Sequence, residues 1–185
     1  MIKELLKEAE GRMKGAIASL ENDLAVIRTG RANPALVEKL SVIYYDTPTP
    51  LMQLASISVP EPRSILIKPF DPSTLKDVER AILASDLGLT PNNDGKSIHL
   101  NLPQLNEERR HELVRVVNNR LEEARVAVRN VLRDTQNDMR DFEKEKMISE
   151  DELKRGEDDL QKLTDRFVEE INERGQEKDK EIMEV

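Results

Sequence analysis

The chain has 185 residues, 36% charged and 37% hydrophobic, with three Phe, two Tyr, no Trp and no Cys. Its cores must be built from aliphatic side chains, and disulfides, thiolate chemistry and Cys-based zinc sites are excluded. The charged start Ile2-Lys3-Glu4-Leu5-Leu6-Lys7 and the lack of any apolar run near the roughly 20 residues of a membrane span predict a soluble, cytoplasmic protein with no membrane partner. The net charge of −8 is unevenly placed: residues 141–185 carry 17 acidic and 9 basic side chains, which leaves the preceding 140 residues neutral and free to form basic patches.

The first element reads as an amphipathic helix, with Ile2, Leu6, Ala9, Met13, Ala16, Leu20, Leu24 and Ile27 at three- and four-residue steps. A different region follows. Residues 31–103 hold all nine prolines, and their apolar runs are short. Residues 40–45, 55–59, 64–68 and 97–102 read as strands. Thr47-Pro48-Thr49-Pro50 and Pro91-Asn92-Asn93-Asp94-Gly95 have the composition of turns or loops, and Ser73 is placed to cap a helix through Ala84. On a strand through Tyr45, Tyr44 and Tyr45 would point to opposite faces.

A second helix starts after Asn106, a candidate N-cap, and buries Leu113, Val117, Leu121, Ala124, Val128, Val131, Thr135, Met139 and Phe142. The third starts at the capping box Ser149-Glu150-Asp151-Glu152, with Ile148 and Leu153 as a hydrophobic staple and Leu153, Leu160, Leu163, Phe167, Ile171 and Ile182 as its stripe. The fold class expected is α+β in two domains. A long antiparallel three-helix bundle (residues 1–29 and 105–185) is interrupted by a small α/β domain of β-β-β-α-β order (residues 31–103). The chain crosses between them near Thr29-Gly30-Arg31 and Leu102-Pro103-Gln104, the expected hinge, where Gly frees the backbone and Pro fixes direction.

A search for catalysis finds no phosphate loop, nucleophile elbow or His-Glu-x-x-His pair, and His99 and His111 read as surface residues. No cofactor, metal or catalytic group is expected. The arginines carry more information. Arg125, Arg129 and Arg133 follow one another at four-residue spacing, with Arg115 and Arg140 on nearly the same side. At about 100° per residue this row lies roughly 60–140° from Val128, beside the apolar stripe. Arg28 and Arg31 add charge at the hinge. Guanidinium forks suit phosphate. Two readings stay open: a solvated face whose arginines pair with Glu122, Asp134 or Asp138, or a surface that grips the backbone of folded RNA.

The ordered segments Arg28-Thr29-Gly30-Arg31-Ala32-Asn33-Pro34, Tyr44-Tyr45-Asp46-Thr47-Pro48-Thr49-Pro50-Leu51, Gln53-Leu54-Ala55-Ser56-Ile57, Ala84-Ser85-Asp86-Leu87-Gly88-Leu89-Thr90-Pro91-Asn92, Glu107-Glu108-Arg109-Arg110, Ala124-Arg125-Val126-Ala127-Val128-Arg129-Asn130-Val131 and Gln161-Lys162-Leu163-Thr164-Asp165 resemble bacterial ribosome recycling factors over the whole length. The resemblance implies an L-shaped molecule, similar to transfer RNA in outline. It also implies a non-enzymatic role on the post-termination ribosome. The bundle would bind ribosomal RNA of the large subunit, and elongation factor G with GTP would then act on the factor to split the subunits. Arg28, Gly30, Arg31, Arg125, Arg129 and Arg133 become the expected RNA-binding residues, and the free protein a monomer. Tyr44, Tyr45 and the Pro48–Pro50 turn become candidates for supporting the swing or the elongation-factor contact. The family usually carries two arginines after Asn130-Val131, where this chain has Leu132-Arg133. Leu132 falls about 40° from Val128, at the margin of the stripe, and its presence predicts weaker, less salt-sensitive binding. The competing expectation is a cytoplasmic helical scaffold or ribosome-associated stress protein that offers its apolar stripes to a partner helix.

Overall fold

A computed structural model describes residues 1–184. In chain order the elements are α1 (Ile2–Ala25), α2 (Ala35–Glu38), β1 (Ser41–Tyr44), β2 (Thr47–Pro50), α3 (Leu51–Leu54), β3 (Ala55–Glu61), β4 (Ser64–Pro69), a 3-10 turn (Pro72–Thr74), α4 (Leu75–Ala84), β5 (Pro91–Asn93), β6 (Ile98–Asn101), α5 (Glu107–Lys144) and α6 (Glu150–Met183). They divide into two compact units. One contains Met1–Leu24 and Val114–Lys180; the other contains Ala25–Leu113 with the chain end from Glu181. No described helix is long and apolar enough to cross a membrane.

The long helices begin where their caps predict. Asn106 Oδ1 accepts the Arg109 N–H at 2.7 Å, and Ser149 Oγ accepts the Glu152 N–H at 3.1 Å, so each satisfies a donor that the first turn leaves free. Between α5 and α6 the chain reverses through Lys146, which takes the left-handed conformation usual at a helix C-terminus (φ +59°), and the Met147 N–H closes on the Phe142 carbonyl.

The first unit is a three-helix bundle. Helix α1 buries Ala9, Met13, Ile17, Leu20 and Leu24, while α5 buries Val117, Leu121, Ala124, Val128, Val131, Thr135 and Met139. Pairs between helices fix their directions. Arg140 with Glu157 and Arg125 with Asn172 set α5 antiparallel to α6. Arg166 with Glu10 and Arg174 with Glu21 set α6 parallel to α1. Along α6 the apolar residues Leu160, Phe167 and Ile171 alternate with buried Gly156, Thr164 and Gly175. The Thr164 hydroxyl is satisfied by the Leu160 carbonyl one turn back. Gly175 is needed for packing. A β-carbon there would stand 2.3 Å from Leu121 Cδ1, so the buried Leu121 side chain would have to shift within a close-packed core. Three expectations need correcting. Ile17 faces the core while Ala16 is only half-buried, α1 stops before Ile27, and Ile2, Leu6, Phe142, Leu153 and Leu163 are half-buried.

The second unit contains a four-stranded antiparallel sheet of order β3-β4-β6-β5 and a separate β1–β2 hairpin. Ile65, Ile67, Ile98 and Leu100 from the sheet pack with Leu75, Val78 and Ile82 of α4, and with Val42 and Leu51. Among the described residues six strands form instead of the four expected. Residues 47–50 and 91–93, read as loop, are short strands. Each lies at the rim of its sheet, where a proline does not interrupt a ladder on both sides: Pro48 faces Ile43, Pro50 faces Ser41, and Pro91 opens β5. Asp71, not Ser73, supplies the cap before α4: its carboxylate accepts the Ser73 N–H at 3.0 Å and starts the 3-10 turn. These hydrogen bonds lower the Asp71 carboxyl from its ordinary pKa. Tyr44 and Tyr45 do not point apart. Tyr45 and Asp46 have φ of +46° and +61°, so Tyr45 sits in the hairpin turn, beyond the strand's alternation. The two rings meet edge to face at 4.5 Å.

The glycines give a two-sided test. Gly175→Ala should lower the unfolding free energy by roughly 1 kcal/mol or more, because overpacking outweighs the gain in helix propensity. Gly11→Ala should raise it by about 0.5–1 kcal/mol, since nothing lies within 4 Å of a β-carbon there. Urea denaturation midpoints measure both, and a stabilised Gly175→Ala would contradict the packing.

Candidate nucleic-acid interface

In the first unit, burial of a single stripe on α5 leaves its arginines outside the core. Their states differ. Arg125, three-quarters buried, donates from Nη2 and Nε to Asn172 Oδ1 at 2.6 and 3.2 Å and lies 3.3 Å from Glu122, so it braces α5 against α6. Arg129 is exposed and reaches Glu122 at 3.5 Å, which leaves most of its donors to solvent. Arg133 is exposed, with no hydrogen bond or ion pair to any described residue. Asp134, a partner considered for this row, is held by Arg12 of α1 at 3.0 Å, and Arg140 by Glu157. Arg115 also has no such partner. Leu132 is half-buried at the edge of the stripe, which a leucine fills without strain.

A second group of arginines lies in the other unit. Arg28 is half-buried. Its Nη1 and Nη2 donate at 3.4 Å to the carbonyls of Leu87 and Pro103, and its Nε is buried with no hydrogen-bond partner among the described residues. Burial, helped by the positive charge of Arg109, lowers the Arg28 guanidinium from its ordinary pKa, and an anion placed here would oppose both effects by favouring the charged form. Arg31 pairs with Glu184. Thr29 is buried; its hydroxyl accepts the Arg31 N–H at 3.1 Å and donates to Glu181 at 3.2 Å. Leu102 is buried and bonds through its N–H to the Arg63 carbonyl at 2.8 Å.

Gly30, Arg31 and Gln104 line one cleft of about 300 Å³ with Pro62, Arg63, Leu105, Arg110, Glu181 and Glu184. Arg63 and Arg110 were not anticipated there. Arg110 resembles Arg28 in having a buried Nε without a partner. The only sequence signal for it was the pair Arg109-Arg110 just inside a helix start, where cations are unfavourable for the helix itself. Gly30 has open space around the position of a β-carbon and no positive φ, so nothing local in this conformation demands glycine.

The first unit thus offers guanidinium donors exposed along a helix; the second, taken by itself, offers partly desolvated ones at Arg28 and Arg110, with Arg31, Arg63 and Arg110 lining the cleft. Among the described residues no three metal-ligating side chains come together.

A family model described as ribosome recycling factor matches residues 20–183. The chain is 55% identical to the ribosome-recycling factor of Syntrophomonas wolfei and 53% identical to that of a Roseiflexus species, over 185 residues and the whole of both partners in each case. Its fold is similar to a solution structure of the ribosome recycling factor, with a TM-score of 0.78 at 45% identity, covering 100% of this chain and 98% of that one. It is also similar to the Thermus thermophilus factor in models with Escherichia coli elongation factor G bound to the post-termination complex, with a TM-score of 0.70 at 43% identity and full coverage of both chains.

The difference between neighbouring arginines is measurable without RNA. Arg125→Ala should cost about 1 kcal/mol of stability through its lost bonds to Asn172, and Arg133→Ala less than about 0.5 kcal/mol. Equal losses in urea denaturation would mean that Arg133 has a structural partner after all.

Proposed function

The chain belongs to the ribosome recycling factor family, and from that premise we propose that it binds the post-termination ribosome and, with elongation factor G and GTP, splits the subunits so that they leave the messenger. The observation that carries this reading is the match to the family along the full chain. Burial of the central part of each helix stripe within the bundle supports it further, because a scaffold that captures a partner helix would need one of them free. We place the protein in the cytoplasm, as a monomer when free, and assign no chemistry to it: nucleotide hydrolysis belongs to the elongation factor.

Under this reading Arg129 and Arg133 hold ribosomal RNA phosphates, and Arg28 and Arg31 add contacts near residues 29–31. Arg125 acts mainly as a brace that keeps the row straight. The proposed bodies are residues 1–29 with 105–185 and residues 31–103, joined by a hinge at Thr29, Gly30, Arg31 and at Leu102, Pro103, Gln104. Binding need only favour the ribosomal state in which the subunits hold each other less tightly; the elongation factor supplies the energy.

Purified post-termination complexes, elongation factor G, GTP and this protein should together yield separated subunits. Omission of any one should leave the complexes intact, and splitting that is indifferent to this protein would refute the proposal. Large-subunit binding measured across a salt series tests the arginine row. Arg133→Ala should flatten the log–log slope by roughly one unit, and Leu132→Arg should steepen it by a similar amount. Slopes unchanged in both variants would remove the row from the interface.

A further inference from the structure

The loop from Asp94 to Ser97 joins β5 to β6 and carries an Asp-Gly step that the proposed function does not use. Both residues are exposed. The Asp94 carboxylate is unusually well held. Its Oδ1 accepts the N–H groups of Lys96 and Ser97 at 2.9 and 2.7 Å. Its Oδ2 accepts the Ser97 hydroxyl at 2.9 Å and lies 3.1 Å from His99 Nε2. The neighbouring Gly95 N–H donates to Asn93 Oδ1 at 2.7 Å. Gly95 itself sits at φ +90° and has no side chain of its own to crowd attack by its amide nitrogen if the loop opened.

We propose that Asp94–Gly95 is a latent isoaspartate-forming site, which the native loop keeps closed by holding both reacting groups. In the reaction, the Gly95 amide nitrogen bonds to Asp94 Cγ. A carboxyl oxygen departs as water, taking the amide proton and the carboxyl proton, and a five-membered succinimide remains. Water then adds back. Cleavage of the bond from nitrogen to Cγ restores aspartate, whereas cleavage of the bond from nitrogen to the main-chain carbonyl carbon leaves the chain running through the side chain. No oxidant or cofactor is required, and the water released equals the water consumed.

The native loop opposes each requirement. Ring closure needs a neutral carboxyl, because an anion is a poor electrophile and oxide a poor leaving group. Four donors favour the anion and hold the Asp94 carboxyl far below its ordinary pKa. Ring closure also needs a free amide nitrogen, and Gly95 is committed to Asn93. Reaction therefore has to pass through loop opening. Its product lengthens the main chain by one methylene between strands paired at Asn93 and Ile98, and it moves the carboxylate away from Ser97 and His99.

The test is to age the purified full-length protein at near-neutral pH and physiological temperature. Isoaspartate at residue 94 is then read by peptide mapping and by methyl transfer from a labelled donor using an isoaspartyl methyltransferase. Chain unfolded in guanidinium chloride should accumulate the product at least roughly tenfold faster than folded protein, the ratio reporting how seldom the loop opens. Ser97→Ala and His99→Ala, each verified as folded by circular dichroism, should age several-fold faster than the parent. If Ser97→Ala fails to fold, the exposed His99→Ala variant decides. Equal rates in folded and unfolded parent, or folded variants that age like the parent, would overturn the proposal.

Discussion

Helix α6 approaches α5 so closely at Gly175 that a single added carbon would collide with Leu121. That approach limits where charge can go. Each helix of the bundle has one stripe in the core, and the arginines of α5, too costly to bury unpaired, are left on its outer flank. The polar side chains of the third helix then act selectively. Glu157 and Asn172 engage Arg140 and Arg125, while Arg133 lies beyond the reach of any described partner. Tight packing inside and an unpaired guanidinium outside thus stand on one helix.

The arginines of the second unit are prepared differently. On α5 the exposed groups retain their hydration and can be steered by long-range fields. Arg28 and Arg110 have already lost water from one nitrogen each without gaining a partner. Part of the desolvation cost that an anion would otherwise impose has been met by folding. The first kind of group suits rapid encounter, and the second suits holding a phosphate at a fixed place.

The helices were legible because their stripes repeat over many turns and their caps are local: Asn106 and Ser149 each needed only a residue three positions on. The short strands were not. Three or four residues carry too little periodicity to outweigh two prolines, and only the pairing of β2 with β1 shows that Pro48 and Pro50 are tolerated. Gly156 and Gly175 could not be read as core positions, since a glycine shows its role only when a neighbouring helix is in place. At the site, four-residue spacing identified the row on α5, but spacing is blind to partners on another helix. It treated Arg125, Arg129 and Arg133 alike, whereas Asn172, 47 positions away, gives the first of them a different task. Arg63 and Arg110 were missed for the same reason, being brought to their cleft by the fold of residues far apart in the chain.

The prolines at the rims of the sheets have a consequence beyond local geometry. Both outer strands of the four-stranded sheet contain one, Pro60 in β3 and Pro91 in β5, and β2 of the hairpin contains two. A strand lacking amide donors along its free side is a poor template for a strand from another molecule. Each of these prolines takes one amide donor out of an outer strand, which weakens that strand as a template for pairing between molecules.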